Sequence, residues 1–221
     1  MIRALILALL PAAVPAAVPA ASFTPPAGCT TTMTVQSKEC RVSNHYVCTG
    51  DAPNTAWRVD AGQTGPYFMT QTDTEGEWLQ SRDAEGMQVL GKRNDPASIT
   101  TLYETGRDSY DFWLEHDDRA PTHVTGYDTL TGKDHVIDGQ TLQETEFEFT
   151  ETDGDGTVLR RARGHEFVSR ELGSFFAGPS EYGDADGEWL PSDSRPMSFA
   201  FPGEKGFEAS QPIFDCDTVL S

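Results

Sequence analysis

Apolar and polar residues alternate with a period of two along much of this chain. In "SYDFWLEH", Tyr110, Phe112, Leu114 and His116 fall on one side and Ser109, Asp111 and Glu115 on the other, with only Trp113 disturbing the pattern. Alternation of this kind predicts a half-buried β-strand. Beyond residue 50 comparable runs succeed one another about every ten residues, divided by Gly, Asp, Asn and Pro clusters. They read "TAWRVDAG", "PYFMTQTD", "GEWLQSRD", "GMQVLGKR", "SITTLYET", "SYDFWLEH", "THVTGYDTL", "DHVIDG", "ETEFEFTET" and "TVLRRARGHEFVS". "LTGKD" and "DGDGT" carry the residues that tight turns use. The pattern predicts an all-β fold with little helix, an antiparallel meander forming a barrel or a strongly curved half-barrel. "EFVSRELGSFFAG" has room for a turn or two of helix, and residues 178–221 read as loop-rich, with "MSFAFPG" and "SQPIFDCDTV" as late strands.

The first residues break this period. "MIRALILALLPAAVPAAVPAAS" has one Arg, an apolar Leu- and Ala-rich run, and small residues around Val18, Ala20 and Ala21, the pattern of a secretory leader. Pro11, Pro15 and Pro19 interrupt it, and its Leu-rich part is far shorter than the roughly 20 residues a membrane span needs. Residues 1–21 are therefore expected to be a signal peptide removed after Ala20 or Ala21, and residues 22–221 a single all-β domain, periplasmic or extracellular. Lipid attachment at Cys29 is disfavoured. Pro26 stands where a branched apolar residue is wanted, and the modification would leave an odd number of cysteines.

Cys29, Cys40, Cys48 and Cys216 follow an export signal and lack the paired knuckles of a zinc ribbon, so two disulfides are expected. Folding "CTTTMTVQSKECRVSNHYVC" as a hairpin with its turn at residues 37–40 sets Val35 against Val42, Met33 against Asn44, Thr31 against Tyr46 and Cys29 against Cys48. Cys40 at the tip is then left for Cys216. The rival has a turn at residues 43–45 and pairs Cys40 with Cys48 and Cys29 with Cys216. The first pairing is preferred because it gathers a coherent face. Either one ties the C-terminal part back to the start and restricts the unfolded chain by about 4 kcal/mol or more.

Charge narrows the partners. A formal net charge of −19 repels nucleic acid and anionic lipid. No pattern calls for a cofactor. There is no G-x-S-x-G elbow and no H-E-x-x-H, and carboxylates are too numerous to single out a pair. "ETDGDGTVLRRA" resembles a calcium loop in composition, but its twelfth position is Ala162 and strands flank it, so it reads as a hairpin. "YGDADGEW" reads the same way. His116, His123 and Asp118 around "DDRAP", with Asp117 and His135 near, are the candidate metal ligands, since two His and a carboxylate suit zinc or copper. Arg160, Arg161 and Arg163 are expected to pair across the sheet with Glu144, Glu146 and Glu148.

Aromatic residues, among them Trp57, Phe68, Trp78, Phe112, Phe147, Phe149, Phe167 and Phe175, are spread through the strands. They either fill a core or line a curved sheet that encloses a ligand. The reading that follows is an exported, non-catalytic binding protein of the cell envelope, holding a small apolar ligand or a protein partner. A hydrolase using acidic residues and a metal-binding module are the alternatives. No residue pattern names the ligand.

Overall fold

The computed structural model describes residues 22–184 and 187–216. The expected leader, the centre of "YGDADGEW" and the last residues of "SQPIFDCDTV" lie outside these. The chain begins with β1 (Cys29–Ser37), β2 (Arg41–Cys48), β3 (Thr55–Gly62), β4 (Gly65–Asp73), β5 (Trp78–Arg82) and β6 (Met87–Asp95). A short helix, α1 (Ile99–Thr105), precedes β7 (Arg107–His116), β8 (Thr122–Ile137), β9 (Gln140–Thr152), β10 (Val158–Ser169) and β11 (Ser174–Asp184). β12 (Trp189–Asp193) and β13 (Pro196–Ala200) complete it. All thirteen strands form one antiparallel sheet in chain order, except that β13 returns to pair with β1.

This order forces curvature. β12 and β13 are the two edges of the sheet, yet only Ser194 and Arg195 separate them, so the edges are held within about 11 Å. No ladder joins them, and the sheet is a strongly curved, unclosed roll. The β1–β2 turn bridges the seam: the Glu39 carboxylate accepts from the Asp193 amide at 2.7 Å and from the Ser192 and Ser194 hydroxyls.

Four expectations about elements change. "SITTLYET" is β-branched but forms α1 because its ends are capped. Ser98 accepts from the Thr101 amide at 3.0 Å, the Glu75 carboxylate accepts from Thr100, and Gly106 closes the helix at φ 83° by donating to Leu102. Ile99 and Leu102, one turn apart, pack on Val168. Caps and burial override intrinsic strand preference. "LTGKD" is no turn: it is a bulge between Leu130 and Asp134 inside the long strand β8. Glu144 on β9 gathers Thr131, Lys133 and His135 at 3.1, 2.9 and 2.9 Å, which carries the pairing across the irregularity. "EFVSRELGSFFAG" is the end of the β10–β11 hairpin rather than helix, and residues 210–216 form no strand.

The disulfides are Cys29–Cys48 and Cys40–Cys216. Cys29 faces Cys48 and Thr31 faces Tyr46, but Thr32 is a bulge, so Met33 meets His45 and Val35 meets Ser43 instead of Asn44 and Val42. One inserted residue shifts the pairing and turns Met33 and Val35 onto the inner face. The segment from residue 201 to Cys216 straps the outer face of β1 and β2. Thr34 accepts from the Glu208 amide at 2.8 Å, Asn44 donates to Ala209 at 2.9 Å, and Gln36 donates to Gln211 at 3.1 Å. Val42, Asn44 and Tyr46 are thereby buried although they point away from the interior.

The end of the β10–β11 hairpin is buried on both faces. Phe167 and Phe176 pack with Met33, Val35, Leu142 and Phe199, while Val168 packs on α1. A third cluster, Phe112, Leu114 and Val124, lies further along the inner face.

Candidate ligand cavity

Between these clusters the inner face encloses a cavity of about 320 Å³, within the range of small-molecule sites. Its walls come from β1–β6 on one side and β7–β11 on the other. The β4–β5 turn, α1 and the β10–β11 turn close one end, where Gly76 approaches Phe175 and the Glu75 carbonyl accepts from the Ile99 amide.

One wall is aromatic. Trp78 stands edge-on to both Phe112 and Phe149, with centroids 6.2 Å apart in each pair, and Phe68, Phe147 and Phe175 extend the surface. Gly126 is required here. Tyr110 lies across it so closely that a Cβ would come within 2.6 Å of the ring.

The remainder is polar. On β2 and β3 the alternation brings Arg41, Ser43 and His45 inward with Arg58 and Asp60, with His45 opposite Arg58 and Ser43 opposite Asp60. Asp60 accepts from Ser43 at 2.6 Å and lies 3.1 Å from Arg58 Nε, off the N–H direction. Arg41 Nη2 donates to the Ser194 carbonyl at 2.8 Å, but its Nε is buried and unpartnered. His45 is 6% exposed, and its Nε2 also lacks a partner. Burial, reinforced by Arg58, pushes this imidazole down to about 3 and keeps it neutral.

Carboxyls occupy the facing wall. Asp108 and Asp128 are directly opposed on β7 and β8, and Glu166 projects from β10. Glu166 is enclosed by protein yet only half-buried, because its free surface faces the cavity. Burial is the first cause that raises Glu166 and Asp128 well above the usual carboxylate range. For Glu166, Asp128 adds to the rise, and Arg58 and Arg41 oppose it. For Asp128, the Thr145 hydrogen bond opposes the rise and Asp108 adds to it. Among the described residues no hydrogen bond reaches the Glu166 carboxyl.

The residues singled out in the sequence sit elsewhere. His116 Nε2 lies 2.8 Å from Thr122 Oγ1, whereas His123 Nε2 lies 2.7 Å from Asp111 and its ring stacks on Trp113. Thr122 and His123 are consecutive in β8, so the two imidazoles are on opposite faces of the sheet. Asp118 is in the exposed loop between β7 and β8, and His135 bonds Glu144 on β9. Among the described residues no three His, Cys, Asp or Glu side chains converge as metal ligands. The Asp-rich turn is a hairpin loop in which Asp153 accepts from the Asp155 and Thr157 amides at 2.9 and 2.8 Å.

The arginine knot divides as the pleat requires, but its partners differ from those expected. Arg160 turns inward to Glu151, which is itself held by Thr122. Arg163 pairs with Glu181 on the following strand at 2.9 Å, and Arg161 and Arg163 both lie over the Trp189 ring. Glu144, Glu146 and Glu148 take none of the three. An open outer groove of about 880 Å³ runs past Arg163 and Glu181, but these groups already satisfy one another.

Arg41, Arg58, His45, Asp128 and Glu166 escape a sequence reading. Each occupies an alternate position that would normally be taken as solvent-facing. No family model, no curated protein and no solved structure matches this chain.

Proposed function

We propose that this protein is an exported, non-catalytic binding protein that holds one small amphiphilic molecule inside the rolled sheet. The observation that carries this reading is the cavity itself, an aromatic wall beside a polar one lined by Arg41, Arg58, His45 and Glu166. A finished core is filled with apolar side chains, whereas an open space with charged groups on its wall suits a bound molecule. Beside the small apolar ligand or protein partner expected from the sequence, the polar wall favours a small molecule with a polar end. The two disulfides point to an oxidising compartment, which agrees with the leader-like first residues.

Native mass spectrometry after gentle purification is expected to show a retained adduct of small mass, and organic extraction should release it. Protein that is uniformly empty, and that no amphiphile stabilises against heat, overturns the reading.

A second reading is a hydrolase. Glu166 and Asp128 are cavity-facing carboxyls with raised proton affinity, as general acids are. It requires turnover that Glu166→Gln abolishes while adduct retention survives.

A further inference from the structure

The polar wall also limits the charge of the ligand. Inside protein a carboxyl can shed its charge by taking a proton, whereas a guanidinium cannot lose one. The carboxyls of the far wall are therefore adjustable, and the two arginines are not. Asp60 compensates Arg58 at 3.1 Å. Arg41 has no carboxylate within ion-pair distance among the described residues, and its hydrogen bonds are to uncharged groups, the Ser194 carbonyl and the Tyr67 side chain. Of the three arginines that line the cavity, Arg58 has Asp60 and Arg160 has Glu151, so among the described residues Arg41 is the one without a carboxylate at ion-pair distance.

The hydrogen-bonding inventory agrees. The Arg41 and Arg58 guanidinium groups, His45 and Glu166 all line the cavity, and two fixed cations with several N–H groups stand on one wall of it. Both arginines interact electrostatically with His45 and with Glu166, so the four form one cluster. A group that accepts from several donors at once and brings one negative charge complements this wall. The aromatic surface of Trp78, Phe112 and Phe149 takes the apolar remainder.

Resting on the cavity reading above, we infer that the ligand is a monoanionic amphiphile, a carboxylate on an apolar chain, with its head against Arg41, Arg58, His45 and Glu166 and its tail along Trp78, Phe112 and Phe149. The acidic exterior adds selectivity by repelling polyanions such as nucleic acid, while one small anion with a large apolar body still gains by entering.

The test is calorimetric titration of the protein, disulfides intact, with decanoate, decanol and decylammonium. Decanoate is expected to bind at least about tenfold more tightly than decanol, the size of a charge-assisted hydrogen bond. Arg41→Gln should remove that preference and leave decanol binding unchanged, and Arg41→Lys should restore most of it. Melting curves establish that both variants fold. If Arg41→Gln does not fold, Glu166→Leu serves, which should weaken decanoate alone. Equal binding of decanoate and decanol overturns the inference but leaves the cavity reading standing. Preference for decylammonium also overturns it, and makes the far-wall carboxyls the counter-ions. Failure of all three to bind removes both.

Discussion

Two parts of the interior are built from the same alternating strands and serve opposite ends. Where Phe167 and Phe176 meet Met33, Val35, Leu142 and Phe199, apolar side chains pack into one buried cluster. On the neighbouring β2, and one residue from Phe167 on β10, Arg41, His45 and Glu166 line the cavity instead. The β10–β11 hairpin belongs to both regions, since its Phe167 lies in the packed cluster and its Glu166 lines the cavity. The comparison teaches that stability and binding are divided along the strands rather than between domains. The buried cluster, the helix plug and the strap hold the roll shut, and the middle is left unfilled.

The largest expected effect separates the two regions by truncation. Phe167→Ala, in a site less than 3% exposed, should cost about 4 kcal/mol of unfolding free energy in denaturant titrations. Phe149→Ala, on the cavity wall, should cost about half as much or less, because the lost contacts already border free space. Equal losses would mean that the cavity is packed as tightly as the cluster.

A pH titration sharpens the contrast through the carboxyls. Asp128 and Glu166 ionise later in the folded protein, at about 7 and about 8, than in the unfolded chain near 4. The unfolded chain therefore releases these protons first. Their contribution to stability is fully present below about pH 4 and is lost as pH rises to between about 7 and about 8, after which it is constant. Asp128→Asn with Glu166→Gln should flatten this decline, read as the pH dependence of the melting temperature, and should raise stability above neutrality. An unchanged slope would show that the pair does not sit in the enclosed environment described.

The smallest effect lies on the outer face. His123→Ala removes a part-exposed contact with Asp111 and a ring from Trp113, and should change stability by about 0.5 kcal/mol or less. Ligand binding should be untouched. Binding lost with His123 would move the site to the outside of the roll.

Much of the scaffold was legible before the structure. The period of two in "SYDFWLEH" is the inner face of β7, and the hairpin argument for Cys29 and Cys48 holds at its open end. It fails three residues later, because nothing in "CTTTMTV" distinguishes a bulged Thr32 from a paired one. "SITTLYET" misleads for a related reason. The groups that make it helical include the Glu75 carboxylate, which only the folded chain brings to its first turn. The site was hidden more thoroughly. Alternation says that two faces differ but not which one is inside, and a polar residue is assigned to water by default.

The order of residues thus determined the class of fold, the strand period, the disulfide framework and the acidic exterior, because these follow from local pattern and composition. Tertiary structure alone decided that the sheet rolls until β12 and β13 nearly meet, and that Glu166 faces Arg41, Arg58 and His45 across a void. The physical reason is curvature. It accumulates over thirteen strands from twists and bulges too small to read singly, and it turns an ordinary polar face into the lining of a pocket.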